Sequence, residues 1–236
     1  ASPHAVSPWC PHVAECGACS WQHFSLEAAR EWKQKHLRET FARIGKVENP
    51  EVFPLVASPN EREYRNKMSF AFAPELAETM GMTDMANPAN PAKPLLGLRK
   101  FKERTVVEVR HCGLQPAPVM DILAHTRLAA HRLGLEAWHG SGAGYLRFLV
   151  VHSPDYAPDG KRQVLVECIT SGNHQQRTSR DESQPGRSNA DKVRALGEEL
   201  MERFALTGFI HSERKNSADL AQGERLVFQA GSNEYQ

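Results

Sequence analysis

The sequence predicts an α+β fold with mixed, mostly antiparallel sheets and flanking helices. Three observations carry this. Runs of alternating apolar residues, such as Met68, Phe70 and Phe72, recur along the chain and read as strands. Other stretches repeat apolar residues at three- and four-residue spacing and read as helices. The strands are joined partly by short turns and partly by helices, which favours α+β over a purely alternating parallel design. With 236 residues and 40% hydrophobic content, the chain can build one substantial core or two small ones.

The elements follow in order. Ser25 to Ile44 reads as a helix: Leu26, Ala29, Lys33, Leu37, Phe41 and Ile44 share one face, Ser25 is an N-cap and Gly45 a C′ residue. Arg30, Lys35, Arg38 and Arg43 occupy its other face. Glu51 to Ala57 reads as a strand, and Glu63 to Pro74 as a second. Residues 75–94 hold repeated Pro-Asn turns without a period and read as a surface excursion. Leu95 to Phe101 and Arg104 to Val109 are expected to pair as a hairpin through Lys102-Glu103. Pro116 and Pro118 open a helix that runs to Leu133, with Val119, Ile122, Leu123, Thr126, Ala130 and Leu133 inward and Gly134 ending it. Tyr145 to His152 and Arg162 to Ile169 are β-rich. Residues 171–188 are almost wholly polar and are expected to form a mobile loop. Ser188 with Asp191 resembles a capping box, and Val193, Leu196, Leu200 and Phe204 form the stripe of the following helix. Thr207 to Ser212 and Glu224 to Ala230 complete the strands. No internal repeat is visible.

Composition narrows the function. Charged residues make up 24% of the chain, and 29 Lys plus Arg stand against 28 Asp plus Glu, a net charge of +1. Global disorder is excluded, and any electrostatic footprint must be local. No apolar run reaches the roughly 18–20 residues that span a bilayer. Ala1 to Pro11 lacks a basic start followed by an apolar stretch, so no secretory signal is visible. The first residue is not Met, which suggests a processed or truncated chain.

The five cysteines are too few for a disulfide scaffold and odd in number. Cys10, Cys16 and Cys19 lie close together, Cys112 is distant, and Cys168 stands alone. Clustered thiols point to a metal site in a reducing compartment, hence a cytoplasmic protein. The Cys16-x2-Cys19 spacing lets two sulfurs converge from one tight turn that Gly17 permits sterically, and Cys10 and Cys112 supply two further corners. Such a site would pin the N-terminal segment to the body of the fold. An iron–sulfur cluster on these four thiolates is one reading. Zinc on the same four, or on three with His12, His23 or His111, is the other. The spacing differs from the C-x3-C-x2-C of radical adenosylmethionine enzymes, which argues against that chemistry.

The run Cys10-Pro-His-x3-Cys16-Gly-Ala-Cys19-x2-Gln22-His23 resembles the cluster signature of the RNA uracil-C5 methyltransferases, which make 5-methyluridine in ribosomal and transfer RNA. Tyr64-Arg65-Asn66-Lys67, His111-Cys112-Gly-Leu-Gln115-Pro116, Gly144-Tyr-Leu-Arg147, Gly208-Phe-Ile-His211 and Asp219-Leu-Ala-Gln222-Gly223-Glu224 match in the same order. Two departures are minor: Ala18 replaces a usual Gly, and Leu26 stands where an aromatic is common. The resemblance implies a [4Fe–4S] cluster on Cys10, Cys16, Cys19 and Cys112. It also implies S-adenosylmethionine as methyl donor in the full-length enzyme, with structured RNA as substrate and rRNA ahead of tRNA. Family members carry the donor, a nucleophilic Cys and an acidic base in a C-terminal Rossmann-like domain, and many begin with a small RNA-binding barrel. Those catalytic and donor-binding residues are therefore expected beyond Gln236, with none in this chain. The chain is expected to be the central, cluster-bearing portion of a longer enzyme, monomeric and inactive alone. Residues 1–116 would form the iron–sulfur and RNA-facing part, and 117–236 the part leading to the methyltransferase domain. The rival is a non-catalytic RNA-binding module with a structural metal.

The candidate RNA contacts are Tyr64, Arg65, Lys67, Lys100 and Lys102, with the stretch Arg99-Lys100-Phe101-Lys102 and Arg104 the densest positive patch. Cations beside an aromatic can hold phosphates while the ring stacks on an unpaired base. A solvated charged edge is the plain alternative. Two features are read as decoys. Gly140-Ser-Gly142-Ala-Gly144 precedes a strand instead of following one, so it is a turn and not a cofactor loop. Cys168 shares strand parity with Val164 and Val166 and reads as a core residue.

Overall fold

The computed structural model describes residues 2–74, 94–139, 144–154, 162–172 and 187–234. Within them the elements run α1 (Leu26–Arg43), β1 (Lys67–Pro74), β2 (Pro94–Arg99), β3 (Val106–Glu108), α2 (Ala117–Arg132), β4 (Leu146–His152), β5 (Leu165–Ser171), α3 (Asn189–Phe204), β6 (Gly208–Arg214) and β7 (Arg225–Gly231). The seven strands form one sheet in the order β3-β2-β1-β4-β5-β6-β7. Where sequence alone predicted sheets, the non-local pairing of β1 with β4, Phe70 opposite Leu149, joins everything into one. All neighbours are antiparallel except β5 and β6, which run parallel because α3 crosses between them.

The two faces of the sheet differ. Met68, Phe70 and Phe72 of β1, Leu149 and Val151 of β4, and Val166 and Cys168 of β5 point into the main core. Helices α2 and α3 bring Val119, Ile122, Leu123, Val193, Leu196 and Leu200 to the same core. The opposite face carries a smaller cluster of Ala71, Val106, Phe148, Val150 and Ile169. Alternation along each strand is what divides the two sets.

Local signals were decisive for two helices. Ser188 accepts from the Asp191 amide while the Asp191 carboxylate takes the Ser188 amide, a reciprocal cap on α3. Gly134, at φ +60°, ends the turn after α2.

Two expectations fail. Glu51 to Ala57 is not a strand: its carbonyls bond to helix side chains, with Gln34 donating to Phe53 O at 3.2 Å and Arg38 to Val52 O at 3.5 Å. The predicted inner face of α1 is not buried, since among its residues only Ala28 and Ala29 are, while Leu37 and Phe41 stay 47% and 45% exposed. At its end Gly45 does follow the C-cap Ile44, its amide donating to Thr40 O at 3.1 Å, and the positive φ falls one residue later, at Lys46. The excursion at 75–94, the polar loop at 171–188 and the Gly140–Gly142 turn lie, apart from their edges, outside the described residues. Among the described residues no helix is long and apolar enough to cross a membrane.

Candidate metal centre and nucleic-acid interface

The N-terminal segment is irregular and is fixed by specific contacts. The Cys16 amide donates to His12 O at 2.8 Å, and the Cys10 amide donates to Gln22 Oε1 at 3.1 Å. Gly17 docks the loop on the β2–β3 hairpin. Its amide donates to Arg99 O at 2.9 Å, and a Cβ there would sit 2.9 Å from Phe101 N, so only glycine allows this approach. Cys16 bridges Lys100, and Glu15 pairs with the Lys100 ammonium at 3.6 Å. At the other end the Trp9 ring lies so close to Gly113 that an added Cβ would meet it at 2.6 Å, and the Arg62 guanidinium lies 4.9 Å from the centre of that ring.

These contacts bring Cys10, Cys16, Cys19 and Cys112 into one neighbourhood. All four thiols are free, three half-buried and Cys112 buried. Burial pushes the Cys16 thiol up, the charges of Cys19 and Cys10 add to that, and the Ala18 amide and Arg65 oppose it. Burial likewise raises Cys112, with Cys19, Cys10 and Cys16 adding and the Leu114 amide opposing. Each of these two sulfurs thus carries a backbone N–H donor, an interaction that stabilises thiolate. Among the described residues no three His, Cys, Asp or Glu side chains are close enough to hold a metal ion as placed. His12 is engaged instead, its Nε2 accepting from the Arg110 amide at 3.4 Å.

Cys168 is a core residue. It is fully buried, and burial drives its thiol up to about 12, far from a reactive thiolate at neutral pH.

The RNA candidates divide by environment. Tyr64 is 50% exposed, Lys67 is exposed at the start of β1, and Lys102 is exposed with its ammonium 5.1 Å from the Phe101 ring centre. Arg65 and Lys100 are half-buried beside the cysteine loop, and Lys100 is already paired with Glu15. Arg99 is engaged too, bonded to Asp219 at 2.6 Å and to the Arg104 carbonyl.

Sequence reasoning did not single out Trp138 and Arg147 as site residues. They meet on the smaller-core face of the sheet, the Arg147 guanidinium 4.2 Å from the Trp138 ring centre. The available signal was a charged residue inside the apolar run Tyr145 to Val151, where an arginine is costly unless it has a task.

No family model matches the chain. It is 34% identical over 226 residues to an uncharacterized RNA methyltransferase of Nitratidesulfovibrio vulgaris, covering 95% of this chain and 42% of that relative. It is 28% identical over 127 residues to a 23S rRNA (uracil(1939)-C(5))-methyltransferase of Bordetella avium, covering 53% of this chain and 24% of the relative. The fold resembles the crystal structure of a Pyrococcus abyssi tRNA (uracil-54, C5)-methyltransferase in complex with S-adenosyl-L-homocysteine. The TM-score is 0.56 and the identity 15%, over 96% of this chain and 42% of that one. Matches of this extent define the chain as a relative of RNA methyltransferases. The chain belongs to this RNA methyltransferase family and spans about two fifths of the length of relatives that it matches along most of its own length.

Proposed function

We propose that this chain is the central portion of an S-adenosylmethionine-dependent enzyme that makes 5-methyluridine in structured RNA, with rRNA ahead of tRNA. In this reading its own task is to hold a [4Fe–4S] cluster on Cys10, Cys16, Cys19 and Cys112 and to present an RNA-facing surface. The reading rests on the sequence pattern of Cys10, Cys16 and Cys19 with the distant Cys112, four free thiols that lie near enough to feel one another's charge. The donor set fits the group: four soft ligands, two of them with N–H donors on sulfur, and Arg65 to offset negative charge.

When bound, the cluster supplies a cross-link. Cys10, Cys16 and Cys19 then hold the N-terminal loop against Cys112 and the hairpin, while Gly17 and Gln22 set the loop's shape. Lys67 and Lys102 offer exposed ammonium groups to phosphates, and Tyr64 offers a ring to an unpaired base. Arg65 and Lys100 act on RNA through the same edge while also bracing the loop.

The methyl-transfer chemistry itself is assigned to residues outside these 236. Attack at uracil C6 needs an accessible thiolate. Four of the five thiols here are cluster ligands in this reading, and the fifth, Cys168, is buried with its proton firmly held.

The test is transfer from methyl-labelled S-adenosylmethionine to unmodified rRNA and tRNA transcripts by the full gene product and by this chain. Label in 5-methyluridine with the former and none with the latter is expected. Label on another base, or none from the full product on any RNA, would overturn the assignment.

A further inference from the structure

On the smaller-core face of the sheet lies a cavity of about 230 Å³ lined by Phe72, Arg99, Arg104, Trp138, His139, Arg147 and Asp219 among others. It gathers three guanidinium groups against one carboxylate, in a chain that is nearly neutral as a whole. Arg147 is only 3% exposed. Its Nη atoms donate to Asn216 O at 2.6 Å and Ala218 O at 2.7 Å, which fixes the wall carrying Ser217 and Asp219. Its Nε, like that of Arg99, is buried with no partner among the described residues. Such a donor is costly to leave unmet. The Arg104 guanidinium is exposed and makes no ion pair or hydrogen bond among the described residues. Flat groups stand beside these cations: the Trp138 indole, braced by Arg147 at 4.2 Å, and the His139 and Phe148 rings.

Cations and flat rings in one recess fit a ligand that is anionic at one end and a π-surface at the other. The volume decides which. It falls below the roughly 300 Å³ at which drug-sized sites begin, so it suits one ring and not a whole S-adenosylmethionine. A base paired within a duplex cannot enter such a recess, whereas an unpaired one can.

We propose that this cavity seats one unpaired nucleotide of the RNA, with its base on Trp138 and its phosphate on Arg104. This rests on the RNA-substrate reading above and adds to it a second contact, separate from the basic edge at the cysteine loop.

The experiment is fluorescence anisotropy of the chain with a labelled single-stranded oligoribonucleotide and with a duplex of equal length, over a range of salt. Trp138→Leu is expected to weaken single-strand binding about tenfold and leave duplex binding unchanged, since stacking acts on unpaired bases, while Trp138→Phe restores most of the loss. Arg104→Gln alters an exposed side chain and so tests the site even if Trp138→Leu misfolds. It should weaken single-strand binding and flatten the log–log salt slope by about 0.7, the loss of one phosphate contact. If the wild type binds the single strand and both variants match it, or if they weaken strand and duplex equally, the nucleotide seat is wrong and the RNA reading stands. If the wild type binds neither RNA, the RNA reading itself is overturned and the seat falls with it.

Discussion

Strand β4 and the cysteine loop touch the same core but are held in opposite ways. Six of the seven residues of Leu146–His152 are buried, and the strand pairs on both sides, with β1 and with β5. Across residues 9–24 none is fully buried, and the loop has no helix or strand of its own. The strand's order follows from apolar burial and ladder hydrogen bonds. The loop gains little from either, yet fixing its backbone costs roughly 1–2 kcal/mol per residue. Trp9 on Gly113, Gly17 on the hairpin and Gln22 on Cys10 offset part of that cost. The rest is what a four-thiolate tie between the loop and Cys112 would supply, because binding energy at such a site is folding energy for the segment it orders.

The largest expected effect separates the two regions outright. Cys16→Ser and Cys112→Ser should each abolish iron binding and open residues 9–24 to limited proteolysis, while far-UV circular dichroism shows the sheet intact. Cys168→Ser should do the reverse: iron stays, and the melting temperature falls because a hydroxyl enters an apolar core. Equal iron loss from all three substitutions would erase the distinction.

A smaller effect is confined to the sheet. His211 is fully buried, its Nε2 3.0 Å from Thr170 Oγ1 and 3.4 Å from the Tyr145 hydroxyl, with Glu213 and Arg225 the charges acting on it. Burial, joined by Arg225 and opposed by Glu213, lowers its pKa from 6.5 to about 4. Between those values the unfolded chain binds a proton that the folded chain refuses. Stability is therefore complete above pH 6.5 and is lost as pH falls toward 4, by up to about 3 kcal/mol. His211→Gln should flatten that window in urea titrations run from pH 7.5 to 4.5. An unchanged slope would mean that another group titrates there.

The smallest effect concerns the basic edge. Replacing Lys100 and Lys102 together with Gln should weaken binding to many RNAs similarly and reduce the salt slope. Lys102 is expected to contribute most, because Lys100 is already paired with Glu15. Filter binding across salt concentrations checks this, with iron measured in both proteins. Unchanged affinity and slope at full iron content would make the edge merely solvated.

What could be read from sequence tracks how local each signal is. The capping box of Ser188 and Asp191, the Cys16-x2-Cys19 turn and the alternation through Met68, Phe70 and Phe72 each lie within a few residues, and the structure contains all three. The pairing of β1 with β4 depends on contacts some eighty positions apart, so alternation predicted the strands but not their union in one sheet. Val52, Phe53, Leu55 and Val56 have the composition of a strand, yet Gln34 and Arg38 of α1 take the carbonyls that a neighbouring strand would need. The apolar face of α1 repeats at helical spacing and still lies open at Leu37 and Phe41, because periodicity names a helix without naming what covers it. In the candidate site, cysteine spacing marked the quartet. Arg147 stood in a matched motif, but its meeting with Trp138 depends on the fold and could not be read from sequence.

Whether the four cysteines hold a cluster is decided by the metal content of the wild-type chain purified without oxygen. A brown protein with about four iron and four acid-labile sulfide per chain is expected, its colour bleached by air and kept in Cys168→Ser. Stoichiometric zinc with no sulfide under the same conditions would contradict that expectation.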